Sequence, residues 1–189
     1  MTMDTHSVLV VTKDSKISSL IGSMLIAPMF ETQIVSSFSE ARRKCAEFAF
    51  NIIIVDFADG EGTDFATDIS SSSSTILLLC PNHHFEQISY KVESYGIITV
   101  PTPFDQFYFY NMIKVAIAVQ YKVMVLSSQT TKLKEKMEEI RTVNRAKMLL
   151  MQNLNMTEQE AHRYIEKESM DRGLKKTALS EQIIITYSN

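Results

Sequence analysis

The sequence predicts a doubly wound α/β domain with a five-stranded parallel sheet, joined by a long helix to a small C-terminal bundle of three helices. Over roughly the first 115 residues, short β-branched apolar runs alternate with segments of helical periodicity, which is the pattern of βαβ units. Residues 104–151 contain neither proline nor glycine, so nothing interrupts a helix there. The remaining residues carry helix start and stop signals.

Five short runs rich in Val, Ile, Leu and Thr predict the buried strands, at residues 7–12, 32–36, 51–56, 75–80 and 96–100. Right-handed crossovers between successive strands make such a sheet parallel. Pro101 and Pro103 predict the end of the fifth strand, and a new helix is expected from Phe104. Ligand sites in these sheets lie at the carboxyl ends of the strands. The side chains expected there are Thr12, Lys13, Asp14, Asp56, Cys80 and Thr102.

The segments between the strands have apolar residues at helical spacing. Ile17, Ile21 and Met24 predict the first helix, and Ser39 is expected to cap a second helix that ends near residue 49. Shorter helices are expected at 63–70 and 83–94. The five serines at 70–74 are expected to form a solvated connection.

An apolar seam with alternating spacings of three and four residues follows the long predicted helix. Such a seam needs a covering helix, so we expect a homodimer through a coiled coil, with residues 121–140 as the linker helix. Packing of the seam within one chain is the alternative. The seam residues are Val119, Val123, Leu126, Leu133, Met137 and Ile140, with Thr130 and Asn144 continuing the spacing.

The last third of the chain is predicted to be helical as well. Thr157 and Glu160 have the spacing of a capping box, in which each side chain accepts a hydrogen bond from the other residue's backbone amide. Gly173 suits the end of that helix, and residues 174–186 can form a final helix. These helices are expected to form a small domain over residues 130–189.

Composition excludes several classes of function. The chain has 189 residues, of which 45% are hydrophobic and 22% are charged. It contains no 18-residue apolar run and does not begin as a signal peptide does. A cytoplasmic protein without a membrane partner is therefore expected. Its two cysteines and four histidines have no metal-ligand spacing, and no cofactor or metal is expected. Residues 1–128 carry 8 basic and 13 acidic side chains, whereas residues 129–189 carry 11 and 9, which permits a polyanion partner for the C-terminal part.

Residues 5–120 resemble the receiver domain of bacterial response regulators. The segments VLVVTKDSKISSLIGSML, NIIIVDFADGEG, TILLLCP and ITVPTPF align with the receiver strands and their exits. The resemblance implies a flavodoxin-like, receiver-type fold. It also implies that Asp56 stands at the phosphoacceptor position. The acidic pair of receivers falls on Thr12 and Lys13, with Asp14 one residue beyond, and the Ser/Thr and Lys positions fall on Cys80 and Thr102.

These replacements predict a receiver-like domain, of about residues 1–120, that has lost its phosphorylation chemistry. Mg²⁺ prefers carboxylate oxygens, and phosphoryl transfer needs positive charge around the transferred group. Lys13 is expected to pair with Asp56 and neutralise it. We therefore expect that Asp56 is not efficiently phosphorylated.

Residues 130–187 resemble the ANTAR domain, the RNA-binding output module of bacterial transcription antiterminators. The segment IRTVNRAKMLLMQNLNMTEQEAHRYIEKESMDRGLKKTALSEQII carries this resemblance. Met148 stands where many members have glycine. The resemblance implies an antitermination regulator that binds paired RNA hairpins in a transcript leader. The expected RNA-binding residues are Arg141, Arg145, Lys147, Met170, Arg172, Lys175 and Lys176.

Two other functions stay open from the sequence. One is a response regulator that acts by binding a regulatory protein partner through its coiled coil. The other is a DNA-binding regulator, for which the final helix is short and apolar at its end. An enzyme is not expected, because no nucleophile, base and orienting group stand together in a recognisable pattern.

Overall fold

The structure is a computed structural model, and it describes residues 5–187 of the chain. It divides into two compact units, one up to Val125 and the other from Leu126 onward. The helix α5, Gln106–Leu154, contributes residues to both.

The N-terminal unit is built on a five-stranded parallel sheet with the order β2-β1-β3-β4-β5. The strands are β1 His6–Val11, β2 Phe30–Val35, β3 Ile52–Asp56, β4 Thr75–Pro81 and β5 Ile98–Thr102. β1 and β3 lie side by side, with Val8 opposite Ile52 and Val11 opposite Val55. This order is the doubly wound arrangement predicted from the sequence.

Helices cover both faces of this sheet: α1 Ser15–Met24, α2 Phe38–Glu47, α3 Glu61–Asp68, α4 Phe85–Val92 and the first part of α5. Leu9, Val11, Ile53 and Val55 face one core, and alternate residues of the same strands face the other. Both faces are therefore apolar, which explains why the strands appear as continuous hydrophobic runs in the sequence.

The fifth strand differs from its prediction, since it runs through Pro101 to Thr102 instead of ending at residue 100. β5 is an edge strand with β4 as its single neighbour. A proline is tolerated on an edge because its missing N–H can face away from the ladder. Pro101 therefore lies within the strand, opposite Cys80.

Several helix boundaries also differ from the predictions. Ser37, not Ser39, caps α2, and its hydroxyl accepts a hydrogen bond from the Glu40 amide at 3.2 Å. α3 begins at Glu61, two residues before its predicted start, and α4 is flanked by short 3₁₀ turns. α5 begins at Gln106 because the Asp105 carboxylate accepts a hydrogen bond from the Tyr108 amide at 2.9 Å.

The N-terminal part of α5 packs against the sheet through Phe109, Ile113 and Ala116, which are fully buried. By length and composition α5 could also cross a membrane. The first part of α5 packs on the sheet as a core helix does, and one helix of this length and composition is weak evidence for a membrane span.

The C-terminal unit contains the end of α5 together with α6, Glu158–Asp171, and α7, Lys176–Tyr187. The predicted capping box is present, because Thr157 Oγ1 accepts from the Glu160 amide and the Glu160 carboxylate accepts from the Thr157 amide. Residues of all three helices share one core, so the three-helix bundle is confirmed, with the end of α5 as its first helix. Its core comprises Ala146, Leu150, Ala161, Ile165, Leu179 and Ile183.

Candidate functional site

The carboxyl ends of β1 and β3 bring Thr12 and Asp56 together. The Thr12 hydroxyl donates a hydrogen bond to Asp56 Oδ2 at 2.8 Å and accepts one from the Asp14 amide at 3.0 Å. Thr12 is almost fully buried, so this hydroxyl is held in a fixed orientation. One oxygen of the Asp56 carboxylate is thus occupied by a neutral donor at the position where receivers have an acidic side chain.

Asp14, the remaining acidic residue after β1, caps α1. Its Oδ1 accepts hydrogen bonds from the amides of Lys16 at 2.7 Å and Ile17 at 3.3 Å. A carboxylate at this position satisfies free amides at the helix N-terminus and interacts favourably with the helix dipole. Local helix formation therefore accounts for Asp14.

Lys13 does not pair with Asp56, and this prediction was wrong. Its ammonium lies 3.1 Å from the Glu61 carboxylate, and both side chains are exposed. It also lies over the ring of Phe38, 5.7 Å from the ring centroid. The partner of Lys13 comes from α3, because Glu61 opens that helix beyond the loop that follows Asp56.

Cys80 and Thr102 lie at the ends of β4 and β5. Cys80 is buried in one of the two sheet cores, and burial raises the pKa of its thiol, so the thiol is protonated at neutral pH. Thr102 is the last residue of β5 and is half-buried opposite Pro81. Neither side chain carries a charge that could compensate a transferred phosphoryl group.

The loop between β3 and α3 is tightly folded around Asp56. Ala58, Asp59 and Gly60 have positive φ angles of 43°, 56° and 100°. Gly62 lies so close to the backbone of Asp56 that a Cβ on Gly62 would stand 1.8 Å from the Asp56 carbonyl oxygen. The backbone path after Asp56 therefore requires glycine at position 62.

These strand ends offer few ligands for a cation. Within residues 5–187, no three side chains from His, Cys, Asp and Glu come together in a group that could hold a metal ion. Asp56 stands beside a hydroxyl in place of a second carboxylate, and a divalent cation prefers several anionic oxygens. The arrangement can hold the Asp56 carboxylate in place through the Thr12 hydroxyl, but it supplies little of the charge stabilisation that phosphoryl transfer needs.

The predicted RNA-binding residues all lie in the C-terminal unit, and most of their cations form ion pairs. Lys147 donates to Glu158 at 2.9 Å, and Arg141 pairs with Glu138 at 2.6 Å. Arg172 pairs with Glu168, and Lys176 pairs with Glu166. Arg145 and Lys175 are exposed, and neither forms an ion pair in the part of the chain that the structure describes.

Two of these ion pairs change the titration of their carboxylates. The side-chain hydrogen bond from Lys147 lowers the pKa of Glu158, and the one from Lys176 lowers the pKa of Glu166. Both carboxylates are therefore ionised at neutral pH. A polyanion that contacted Lys147 or Lys176 would compete with an intramolecular carboxylate, whereas Arg145 and Lys175 have no such competitor among the described residues.

Three uncharged side chains of the C-terminal unit differ in their exposure. Met170 is 79% exposed on α6, and Tyr164 on the same helix is 37% exposed. Ala146 is fully buried in the bundle core. Its small side chain therefore serves helix packing.

Two further cations were missed by the sequence interpretation. Arg163 and Lys167 line a shallow surface depression together with Met170 and the acidic residues Glu166 and Asp171. Arg163, Lys167 and Met170 are separated by four and three residues, which places them on one face of α6. That spacing is visible in the sequence and could have identified them.

The N-terminal unit has the fold of response-regulator receivers. NtrX from Brucella abortus, solved with ADP, has a TM-score of 0.56 at 14% identity, and the match covers 72% of this chain and 30% of that chain. A CheY-like response regulator receiver domain protein from Methanospirillum hungatei JF-1 has a TM-score of 0.56 at 19% identity, covering 63% of this chain and 98% of that chain. This chain therefore spans less than a third of NtrX. These likenesses define the class of the N-terminal unit as a receiver fold.

A structure described as adenylate cyclase from Rhodopirellula baltica is also similar, with a TM-score of 0.58 and 20% identity over 68% of this chain and 98% of that chain. At this identity the likeness concerns the fold alone. No curated protein sequence matches the chain.

Residues 131–184 match the family model of the ANTAR domain. The chain therefore combines an ANTAR domain at residues 131–184 with a receiver fold in the unit before it.

Proposed function

We propose that this protein is a non-enzymatic, RNA-binding regulator of transcription antitermination, acting in the cytoplasm. The ANTAR match over residues 131–184 is the observation that carries the proposal. The ligand is expected to be a leader RNA with two adjacent hairpins, whose loop bases and phosphates are accessible to basic and aromatic side chains.

Exposed cations of the ANTAR domain support this proposal. Arg145 and Lys175 are exposed cations, and Arg163 and Lys167 stand beside the exposed Met170. All four cations can contact phosphates, and Arg163 and Lys167 stand next to an apolar side chain that a splayed base can cover. Tyr164 on the same helix is exposed and can stack on a base.

Removing the exposed cations is expected to weaken RNA binding. Arg145→Ala together with Lys175→Ala should raise the Kd for a dual-hairpin leader RNA by about tenfold at moderate salt. Each lost phosphate contact should also reduce the slope of log Kd against log salt by about 0.7–0.9. Filter binding at four or more salt concentrations measures both quantities.

Lys91→Ala is the matched control for that measurement. Lys91 is an exposed cation on α4 in the N-terminal unit, so its removal makes the same kind of charge change outside the proposed surface. Equal Kd and slope for the double variant and the control would contradict the RNA interface. Tighter binding to duplex DNA than to the leader RNA in a mobility-shift assay would favour the DNA-binding alternative.

We propose further that Asp56 phosphorylation does not switch this protein. After incubation with acetyl phosphate and Mg²⁺, intact mass spectrometry is expected to show less than a few per cent of a species heavier by about 80 Da. Thr12 and Lys13 stand in place of the acidic pair that holds Mg²⁺, and Lys13 is paired with Glu61. Thr102 stands in place of the lysine, so the transferred group lacks charge compensation. A receiver with a complete acidic pair, treated in parallel, shows that the donor is active. A stoichiometric adduct that disappears in Asp56→Asn would contradict this part of the proposal.

Association through the seam is the third part of the proposed function. The seam side chains are exposed in the single chain, which supports a requirement for another helix. A second copy of the chain is the occupant expected from the sequence, and a regulatory protein partner is the other. The homodimer stays a prediction.

A further inference from the structure

A cleft of about 790 Å³ lies at the amino-terminal edge of the sheet, where β1 and β3 begin and α5 runs past them. Clefts that bind small organic molecules commonly have volumes of about 300–1,000 Å³. Its walls are mostly apolar and include Met29, Ile117, Ala118, Tyr121 and Met124. The carboxyl end of β3, with Asp56, lies at the other edge of the sheet, so this cleft is separate from the degenerate receiver site.

Two amide side chains in the cleft have their oxygen atoms already occupied. Gln120 is 8% exposed, and its Oε1 accepts a hydrogen bond from the Thr75 hydroxyl at 3.1 Å. Asn51 Oδ1 accepts hydrogen bonds from the amide of Ser7 at 2.9 Å and from its hydroxyl at 3.0 Å. Neither side-chain nitrogen donates a hydrogen bond to a residue in the range 5–187. The cleft therefore presents amide donors to whatever occupies it.

The charge at the cleft also favours an acceptor. Lys114 is exposed at its mouth, and the ammonium lies 5.1 Å from the centroid of the Tyr110 ring without an ion-pair partner among the described residues. His6 is a further lining residue, and within residues 5–187 the lining contains no aspartate or glutamate. A concave surface with cations and donors but without anions attracts a negatively charged group.

The cleft lies on the side of α5 that faces away from the seam. At 100° per residue, Ile117, Ala118 and Tyr121 fall within about 100° of one another around the helix. Val119 and Val123 of the seam lie about 180° from the centre of that group. A helix that covers the seam therefore leaves the cleft open, and a ligand in the cleft is compatible with the expected homodimer.

We propose that this cleft binds a small organic acid, a molecule with an apolar body and one carboxylate. The apolar body covers the apolar walls and removes them from water. The carboxylate accepts hydrogen bonds from the side-chain nitrogens of Gln120 and Asn51, and Lys114 supplies the opposite charge at the mouth. A neutral apolar molecule leaves these donors without an acceptor, and inorganic phosphate leaves the walls uncovered. The site is independent of RNA and goes beyond the proposed function.

Two probes that share one apolar body test this proposal on the full-length chain. They are 4-phenylbutyrate, which carries a carboxylate, and 4-phenylbutanamide, in which a neutral amide replaces it. In a titration followed by the ¹H–¹⁵N spectrum, 4-phenylbutyrate is expected to bind at least about tenfold more tightly, because charge-assisted hydrogen bonds are stronger than neutral ones. The largest shifts are expected at the backbone amides of Asn51, Ile117 and Gln120.

Three variants locate the bound probe. Ala118→Trp places a large side chain in the cleft from an exposed position, so it should abolish binding while the chain still folds. Lys114→Gln should weaken 4-phenylbutyrate binding by about two- to fivefold, the effect of one exposed ion pair, and leave 4-phenylbutanamide unaffected. Lys122→Gln is the matched control, because Lys122 is an exposed cation of the same helix that does not line the cleft. Circular dichroism of each variant verifies the helix content.

Four outcomes would overturn the proposal. The first is the absence of a saturable shift with 4-phenylbutyrate at millimolar concentration, and the second is equal affinity for both probes. The third is binding that persists in Ala118→Trp or shifts only seam residues such as Leu133 and Ile140. The fourth is displacement of 4-phenylbutyrate by an equal concentration of inorganic phosphate, which would mean that the apolar body contributes nothing. No RNA is present in these measurements, so their failure is distinct from failure of the RNA-binding proposal.

Discussion

Gly62→Ala is expected to lower the free energy of unfolding of the N-terminal unit by about 3 kcal/mol or more. An alanine Cβ would stand 1.8 Å from the carbonyl oxygen of Asp56 and 2.8 Å from its carbonyl carbon. Both are backbone atoms, so no change of side-chain rotamer can relieve the overlap. The backbone that would have to move also forms a hydrogen bond, in which the Gly62 amide donates to the Phe57 carbonyl oxygen at 3.0 Å.

Urea denaturation followed by circular dichroism at 222 nm measures this effect. Gly22→Ala is the matched control, because its Cβ would meet Ile34 Cδ1 at an ordinary 3.5 Å within α1. Alanine has the higher helix propensity, so this control should be neutral or more stable by up to about 1 kcal/mol. Equal denaturation midpoints for Gly62→Ala and the unmodified chain would show that the loop after Asp56 can be rebuilt.

The loop around Gly62 was predictable as a loop, but the different roles of its two glycines were not. The letters DFADGEG predict a turn after the third strand, as the structure has it. They do not distinguish Gly60, which has a positive φ and open space around it, from Gly62, which has no room for a side chain. That difference depends on how closely α3 approaches the end of β3, which is a tertiary distance.

The strands were predictable for a physical reason. The central strands β1, β3 and β4 are covered on both faces, so each must be apolar at successive positions, and a run such as residues 51–56 has few alternatives. Where burial weakens, prediction weakens as well. β5 lies at the edge, and there Pro101 suggested an end to a strand that continues.

The degenerate receiver site was predictable in its residue types but not in its contacts. The identities of Thr12, Lys13, Cys80 and Thr102 already indicate that the acidic pair, the hydroxyl and the lysine of receivers are replaced. Which partner Lys13 chooses depends on the start of α3, two residues earlier than predicted, and this brings Glu61 within 3.1 Å. An exposed lysine has several accessible rotamers, and the sequence does not select among them.

For the expected RNA-binding residues, too, the residue types were predictable but the contacts were not. The sequence identifies the basic residues, but it does not show that Lys147 and Lys176 are already paired with carboxylates. These pairs join residues 11 and 10 positions apart, across different helices. The availability of a cation for RNA is therefore a property of bundle geometry, and it favours Arg145 and Lys175 as the residues to test first.

Leu150→Ala is expected to unfold most of the C-terminal bundle while leaving the sheet of the N-terminal unit intact. Leu150 is 1% exposed and belongs to a core that has six buried apolar members among residues 5–187. Truncating a buried leucine costs about 2–5 kcal/mol. A helical unit of this size has a stability of similar magnitude, since a small core buries little surface.

Hydrogen exchange with mass spectrometry on the full-length chain separates the two units. Peptides from α6 and α7 should lose at least about tenfold in protection, whereas peptides from β3 and β4 keep theirs. Leu154→Ala is the matched control, because this leucine is 43% exposed at the end of the same helix and its truncation should cost less than about 1 kcal/mol. Unchanged protection in α6 and α7 of Leu150→Ala would mean that the bundle has a larger reserve of stability than its six-residue core implies.

This result also governs how RNA binding is interpreted. If Leu150→Ala unfolds the bundle, it abolishes RNA binding without touching any phosphate, so loss of binding alone cannot assign a contact. Arg145→Ala and Lys175→Ala remove exposed side chains and should leave protection in α6 and α7 unchanged. A lower salt slope together with unchanged protection is the combination that assigns these two cations to the RNA backbone.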